Sequence, residues 1–433
     1  MDDSRASHAA LVAIVGLFGI ASVRAQAPDS APHVARLVKT LGAEDFAARR
    51  AADLELLKMG REGHRQLEAA AASSDPEIRL RALNLLERIA AIRLWEPTRV
   101  TLKAEGEKAS NVLAACAEQT GNHVFFGDPF GEFTNALVSI DCQEKPYWQA
   151  LDLLAAQTGN HLRVHYDTRM PGIAVAAGRP GNYPTAYSGP VRAQITRARR
   201  DFVEEFDYER LTSEVTHTFQ LNLQMMWEDR FRLVAYGALP ELVEAKTDTG
   251  VAVSGPQSTS GGWNVASSGT RQVSASLRLN PPPVSATKLS VLRLKWSLVA
   301  LGDMAVAELD NPTAKSESHH DGLSLCVLAL DRQANGRVEL TLLVSRNIAV
   351  PDPPEILFQE NEIELLDPNG RSLRSQSQSH TLTDRGAEFR LTFLGDSPGA
   401  VPAKLRVKYP KIRSRRDLEI VFHDVPLPRE PPE

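Results

Sequence analysis

Three cysteines in 433 residues are too few to staple an exported chain, because disulfide scaffolds are short and dense in cysteine. Stability must come from packed apolar cores. Charge of one sign is also scarce: 49 Lys and Arg against 54 Asp and Glu leave −5 at pH 7. That balance excludes a general nucleic-acid binder, which needs a strongly basic face. Long apolar runs are missing as well. The longest near the start, Ala9 to Ala21, has 13 residues, whereas a membrane-spanning helix takes roughly 20. Catalytic signatures are absent too: there is no Gly-x-Ser-x-Gly elbow, no Gly-x-x-x-x-Gly-Lys phosphate loop and no Gly-x-Gly-x-x-Gly after a strand. The sole sequon-like triplet, Asn311-Pro312-Thr313, carries proline in the forbidden place.

What is present begins with an address. Arg5, the apolar run Ala9 to Ala21 and the small-residue stretch Ser22 to Ala27 follow the order of a secretory signal. Val23-x-Ala25 supplies the cleavage pattern, so residues 1–25 are expected to be removed and the mature chain to start at Gln26. This predicts an extracytoplasmic protein, periplasmic or secreted, with no stable transmembrane span.

Residues 34–94 read as helices. Ile78, Ala82, Leu85, Leu86 and Ile89 recur at steps of three and four, and Phe46, Ala47, Ala51, Leu54 and Leu57 form a similar stripe. Asp75-Pro76 is a helix start, with the carboxylate as cap and proline in the first turn. The stretches Glu44 to Ala52 and Asp75 to Leu83 resemble successive HEAT-type helical repeats; a short bundle without repeats is the alternative.

From Val100 to Val164 the chain repeats itself at an offset of 38 residues: Gln119-Thr120-Gly121-Asn122-His123 returns as Gln157-Thr158-Gly159-Asn160-His161. Each copy reads strand, helix, strand, with a glycine closing each helix. Gly131 to Val175, including Val138-Ser139-Ile140, Pro146 to Leu154 and Ile173-Ala174-Val175, resembles the short N-terminal domain of secretins and TonB-dependent receptors. The resemblance implies a small α+β domain over residues 97–178 that makes protein–protein contacts in the bacterial envelope and is not an enzyme. Nothing downstream looks like a secretin core or a receptor barrel. Cys116 and Cys142 fall in apolar slots of this duplication, either as buried free thiols or as a bridge, with Cys326 unpaired.

Beyond a Gly- and Pro-rich linker at 179–190, helical periodicity gives way to short alternating runs. Val191 to Thr196, Thr216 to Met225, Phe231 to Tyr236, Val273 to Leu279 and Leu289 to Val299 form one set. Leu323 to Leu330, Arg337 to Val344, Glu362 to Leu366, Glu388 to Leu394, Ala403 to Tyr409 and Leu418 to Phe422 form another. The expected fold is therefore multidomain: an α-helical N-terminal unit, a small α+β domain with duplicated β-α-β units, and an all-β region of two antiparallel sandwiches at 190–302 and 311–428. One large irregular sandwich is the alternative.

Candidate chemistry is thin. Glu204-Glu205 and Glu360, Glu362 and Glu364 read as solvated strand faces, not as the spaced carboxyl pair a glycosidase needs. His319-His320-Asp321 has metal-ligand flavour, but adjacent residues of an extended segment point to opposite faces. Arg197, Arg199 and Arg200, with Lys411, Arg413, Arg415 and Arg416, read as guards of sheet edges rather than as an anion site. Thr247 to Arg271 is a long Gly-, Ser- and Thr-rich loop, and Trp263 within it is the one residue expected to act as a binding anchor. These readings predict no catalytic residue, no metal and no cofactor. They point to a non-catalytic binding or assembly protein of the cell envelope with a protein partner. A carbohydrate-active hydrolase or a glycan-binding protein, with its site in the β region, is the alternative.

Overall fold

The computed structural model describes residues 30–127, 132–165, 172–178, 181–255, 262–266, 269–320, 323–346, 362–395, 401–410 and 413–428. The export signal expected at 1–25, Glu360, Asp321 and Lys411 lie outside them. Among the described residues the chain is mostly strand, with six α-helices and several sheets. It divides into two compact units on either side of Ile89 and Ala90.

The first unit is helical: α1 (Ser30–Thr40), α2 (Phe46–Met59), α3 (His64–Ala70) and most of α4 (Pro76–Leu94). Asp45 and Asp75 each open a helix by accepting backbone N–H bonds, from Ala47 and Ala48 at α2 and from Glu77 and Ile78 at α4. Val34, Leu41, Leu56, Leu67, Ala82, Leu85 and Ile89 form the core. On α4 the expected stripe is the buried one. On α2 it is not: Ala52 and Leu56 face the core, while Phe46 and Leu54 are exposed. Packing on α1 and α3 selects the α2 face with the small Ala52, and the bulkier residues of the anticipated stripe turn outward.

The second unit starts with the duplication. Copy one is β1 (Arg99–Lys108), α5 (Ala109–Thr120) and β2 (Val124–Phe126); copy two is β3 (Leu137–Pro146), α6 (Tyr147–Gln157) and β4 (His161–His165), followed by β5 (Gly172–Ala176). The copies are related atom for atom at several points. Gln119 clamps the backbone N–H and C=O of Thr101, and Gln157 clamps those of Ser139 in the same way. The first N–H of α5 bonds to the Ala136 carbonyl and that of α6 to the Thr98 carbonyl, again 38 residues apart. Thr120 and Thr158 turn their hydroxyls back onto Cys116 and Leu154. β1 pairs antiparallel with β3, and β5 lies between β2 and β4. Cys116 and Cys142 are buried as free thiols beside Leu113, Leu151 and Trp148.

The β region follows: β6 (Thr185–Ser188), β7 (Val191–Asp207), β8 (Thr212–Trp227), β9 (Arg232–Gly237), β10 (Glu241–Thr247), β11 (Trp263–Val265), β12 (Gln272–Leu279) and β13 (Lys288–Leu301). It continues with β14 (Met304–Asp310), β15 (Glu317–His320), β16 (Leu323–Arg332), β17 (Arg337–Arg346), β18 (Glu362–Leu366), β19 (Arg374–Thr383), β20 (Gly386–Leu394), β21 (Lys404–Pro410) and β22 (Arg413–Pro426). A sheet in the order β12-β8-β7-β6 and a second containing β10, β13, β9 and β11 enclose one core, with Phe219, Leu221, Leu223, Leu292, Leu294 and Trp296 at its centre. The sheets β14-β21-β18 and β15-β16-β17-β20-β19 enclose another, built on Leu325, Leu342, Phe389 and Leu405.

The expected division at 311–428 is corrected by the last strand. β22 pairs with β13 from Lys288↔Pro426 to Leu301↔Arg413, and its Leu418, Ile420 and Phe422 enter the first β core. The second core therefore ends with β21. Burial of an apolar strand beside β13 outweighs chain order, so the segment 304–410 is an insertion between two neighbours of one sheet.

The small α+β part belongs to the same unit as the β sheets, through two polar clamps. Asp152 on α6 accepts from Arg192 Nη2 and Nε, at 2.7 and 2.8 Å, and from the Tyr187 hydroxyl at 2.6 Å. Glu228, 0% exposed, accepts from the Thr98 amide and hydroxyl and from Arg230 Nε. A buried carboxylate persists only with such partners.

Candidate functional site

The sheet order leaves one part of the chain uncovered. β6 pairs with β7 only from Val191 to Gln194, and β12 pairs with β8 only from Phe219 to Met226. Past Arg200↔Phe219 the hairpin goes on alone, through seven further pairs from Asp201↔Thr218 to Asp207↔Thr212. Every residue from Phe202 to His217 is exposed. The result is a projecting two-stranded arm of about 23 Å at the usual rise per residue.

Alternation decides what this arm presents. On β8, Leu223, Leu221 and Phe219 point into the core, so His217, Val215 and Ser213 continue the same face outward. On β7 a bulge between Ile195 and Arg197 shifts the phase, and the face continues as Ala198, Arg200, Phe202, Glu204 and Phe206. The core face of the sheet thus runs out onto the arm with nothing stacked on it. Phe202, Phe206 and Val215 are 47–52% exposed, and Tyr208 and Leu211 at the turn 84% and 75%. Phe202 packs edge-on to His217, and Phe206 edge-on to Tyr208.

The turn is built by the chain itself. The Asp207 carboxylate accepts the N–H groups of Glu209 and Arg210 at 2.9 and 3.1 Å, the usual Asx device. Leu211 closes the loop at φ +54°, a conformation bulky residues rarely take. Ser213 donates to Glu204 across the strands at 2.6 Å. Residues 197–218 contain no Pro, Lys or Gly, the residues that most often blunt or break a free strand edge. Both outer edges of the arm are open, and a lone two-stranded ribbon is marginal in water without a covered apolar face.

Charge on the arm is divided along its length. Arg197, Arg199 and Arg200 sit at the base. Asp201, Glu204, Glu205, Asp207, Glu209 and Glu214 occupy the outer part, with Arg210 the one arginine or lysine there. Arg199 pairs with Asp201 at 2.6 Å, and Arg200 donates to the Pro282 carbonyl at 3.1 Å.

The residues singled out by sequence lie elsewhere. Trp263 is on the edge strand β11, half-buried over Val234, Ala235, Val299 and Leu301, with the Arg415 guanidinium 4.9 Å from its ring centroid. Its ring is occupied within the chain. His319 bonds to Ser324, and His320 bonds to Ser318 and the Glu308 carbonyl, so each imidazole has its own partner. Among the described residues no three His, Cys, Asp or Glu side chains gather as a metal site. Glu204 and Glu205 lie on opposite faces of the arm, and Glu364 lies near Arg406 and Lys408 on the second β core.

Groups with perturbed pKa values mark reactive sites in many proteins. Burial pushes the Asp229 carboxyl up, opposed by the His123 N–H and by Arg271, whose Nη1 is 2.6 Å away. Asp229 sits next to Glu228 in the clamp and makes contact with the α+β part, where its own N–H also bonds to Asn122. Burial likewise raises the Tyr147 hydroxyl and lifts the Cys116 thiol to about 12. A shallow concavity of about 510 Å³ on the second β core is lined by Val306, Glu308, His320, Arg406 and Lys408. Lys404 and Arg406 bond to the Glu308 carboxylate and hold it below its usual range, and Asp310 and Glu364 pair with the remaining charge of Lys404, Arg406 and Lys408. The arm is the site that carries an unmet physical demand. The alternating runs expected here cover only 191–196 and 216–225; the alternation Phe202-x-Glu204-x-Phe206 facing Ser213-x-Val215-x-His217 is the signal for the rest. No protein-family model, no curated protein and no solved structure matches this chain.

Proposed function

We propose that this protein is a non-catalytic binding or assembly component acting outside the cytoplasm, and that the β7–β8 arm is its contact surface. The observation that carries this reading is the apolar face of the arm, continuous with a core face and left open to solvent. Exposed apolar patches of this kind mark interaction sites, and extended edges suit recognition by pairing. The likeness of residues 97–178 to the secretin and TonB short domain, a module of envelope protein contacts, supports the same class of job. So does the packed β core from which the arm projects, whose strands β7 and β8 are anchored by Phe219, Leu221 and Leu223. The export signal read at 1–25 supplies the compartment.

A photo-reactive amino acid at Tyr208, introduced into the full chain in intact cells, tests this directly. Illumination is expected to produce a discrete crosslinked species, while the same probe at exposed Val243 on β10 produces none. Equal and diffuse labelling from both positions would overturn the proposal.

A further inference from the structure

The two faces of the arm differ in chemistry, and together they narrow its partner. On one face Phe202, Glu204 and Phe206 of β7 oppose His217, Val215 and Ser213 of β8, and the one carboxylate among them, Glu204, is held by the Ser213 hydroxyl. On the other face the pairs are Asp201↔Thr218, Val203↔Thr216, Glu205↔Glu214 and Asp207↔Thr212. That face is acidic. Arg199 pairs with Asp201 and Arg210 with Asp207. Glu205 and Glu214 stand directly opposite each other, and neither side chain has an ion pair or hydrogen bond among the described residues. Like charges at opposed positions destabilise a strand pair, so a cation is the group this face lacks. The other face lacks a cover. The edge of β7 lacks a strand as well: β6 occupies it only as far as the bond from the Ile195 N–H to the Pro184 carbonyl, 3.0 Å.

Only a partner that reaches both faces meets these demands together. A body stacked on one face does not, whereas a strand laid along an edge does, because its side chains alternate between the faces. β7 is the edge that carries both phenylalanines together with Asp201 and Glu205. We propose that the arm binds an extended segment of another protein, which adds to the free edge of β7 and alternates apolar with basic residues. This rests on the reading of the arm as a contact surface and names the chemistry of its partner. Apolar side chains of the added strand lie beside Phe202 and Phe206. Lysines or arginines between them lie beside Asp201 and Glu205, where their charge offsets the repulsion between Glu205 and Glu214. Main-chain hydrogen bonds hold such a strand, and the alternation sets its register.

Synthetic peptides of about ten residues, titrated against the full chain with binding read by fluorescence anisotropy, are the test. A peptide alternating valine and lysine is expected to bind saturably. One alternating valine and glutamate, and one with the same valines and lysines in two blocks, should bind at least about tenfold more weakly. Glu205→Lys with Glu214→Lys should reverse the order and make the valine–glutamate peptide the tighter, a gain that misfolding does not imitate. Phe202→Ser with Phe206→Ser should weaken both alternating peptides at least about tenfold while leaving the thermal melt unchanged. Backbone N-methylation of either the valines or the lysines should abolish binding, and methylation of the other set should spare it, since a strand paired on one edge uses the N–H groups of every second residue. Equal affinity for the three peptides, an order unchanged by the charge reversal, or binding that survives methylation of both sets would each overturn the inference. So would self-association of the chain that the double Phe substitution abolishes, which gives the face to a second copy. The Tyr208 crosslink separates this failure from that of the wider reading: peptides that fail while the probe still captures a discrete partner refute strand addition alone, and a probe that captures nothing refutes both.

Discussion

The inner and outer halves of the β7–β8 hairpin are the same two strands with the same alternation, yet they have opposite fates. In the inner half, Phe219, Leu221, Leu223 and Met225 are buried beneath the sheet that contains β13 and β22. In the outer half, Phe202, Phe206 and Val215 continue that face and stay in water. Strand pairing does not distinguish them, since the ladder runs unbroken from Arg197↔Asn222 to Asp207↔Thr212. What differs is whether a second layer is present. Alternation tells which side chains share a face, and the length of the neighbouring sheet decides whether that face is covered.

The largest expected effect follows from this contrast. Phe219→Ala should cost about 3–5 kcal/mol, because Phe219 is fully buried. Phe206→Ala should stay within about 0.5 kcal/mol, because its ring leaves no cavity behind. Denaturant unfolding of both variants checks this, and equal losses would mean that the outer half is packed.

A second pair tests whether covered positions behave alike across the duplication. Leu113 and Leu151 are 38 residues apart and both buried in one core. Replacing either with alanine is expected to cost about 2–5 kcal/mol, read as a lowered thermal midpoint.

The Glu228–Asp229 clamp sharpens the comparison with the arm carboxylates through its pH dependence. Burial raises the Asp229 pKa, so the folded state holds that proton more tightly than the unfolded chain. Stability therefore gains as pH falls through the raised value and stops gaining below the unfolded value of about 3.9. Asp229→Asn removes this contribution. The melting difference between wild type and variant should shift toward the wild type on acidification from neutral to about pH 4; a constant difference would contradict it.

The smallest effect concerns thiols. Cys116 is buried and held at about 12, so it should resist alkylation in the folded chain near pH 8. Cys326, half-buried, should react first, as mass mapping of labelled peptides can show.

Much of the molecule was legible from residue pattern. The 38-residue repeat announced two β-α-β copies, and the Gln119 and Gln157 clamps carry that repeat down to single hydrogen bonds. The α4 stripe and the Asp75 cap were legible because they are local. The α2 face was not, since it depends on what α1 and α3 present to it. The return of β22 to β13 escaped for a similar reason: pairing across more than a hundred residues leaves no local trace. The arm was obscured by its own charges. Arg197 to Arg200 and Glu204-Glu205 read as a solvated stretch, which hid the phenylalanines alternating between them.

The most direct measurement is hydrogen exchange along the hairpin of the full chain, alone and with the cell envelope fraction. Amides of Phe202 to Phe206 and Ser213 to His217 are expected to exchange fast in the purified chain and to slow when the cell envelope fraction is added. Those of Phe219 to Met225 should stay protected in both samples. An outer half that exchanges equally fast with and without the cell envelope fraction would contradict the assignment of the arm as a contact surface.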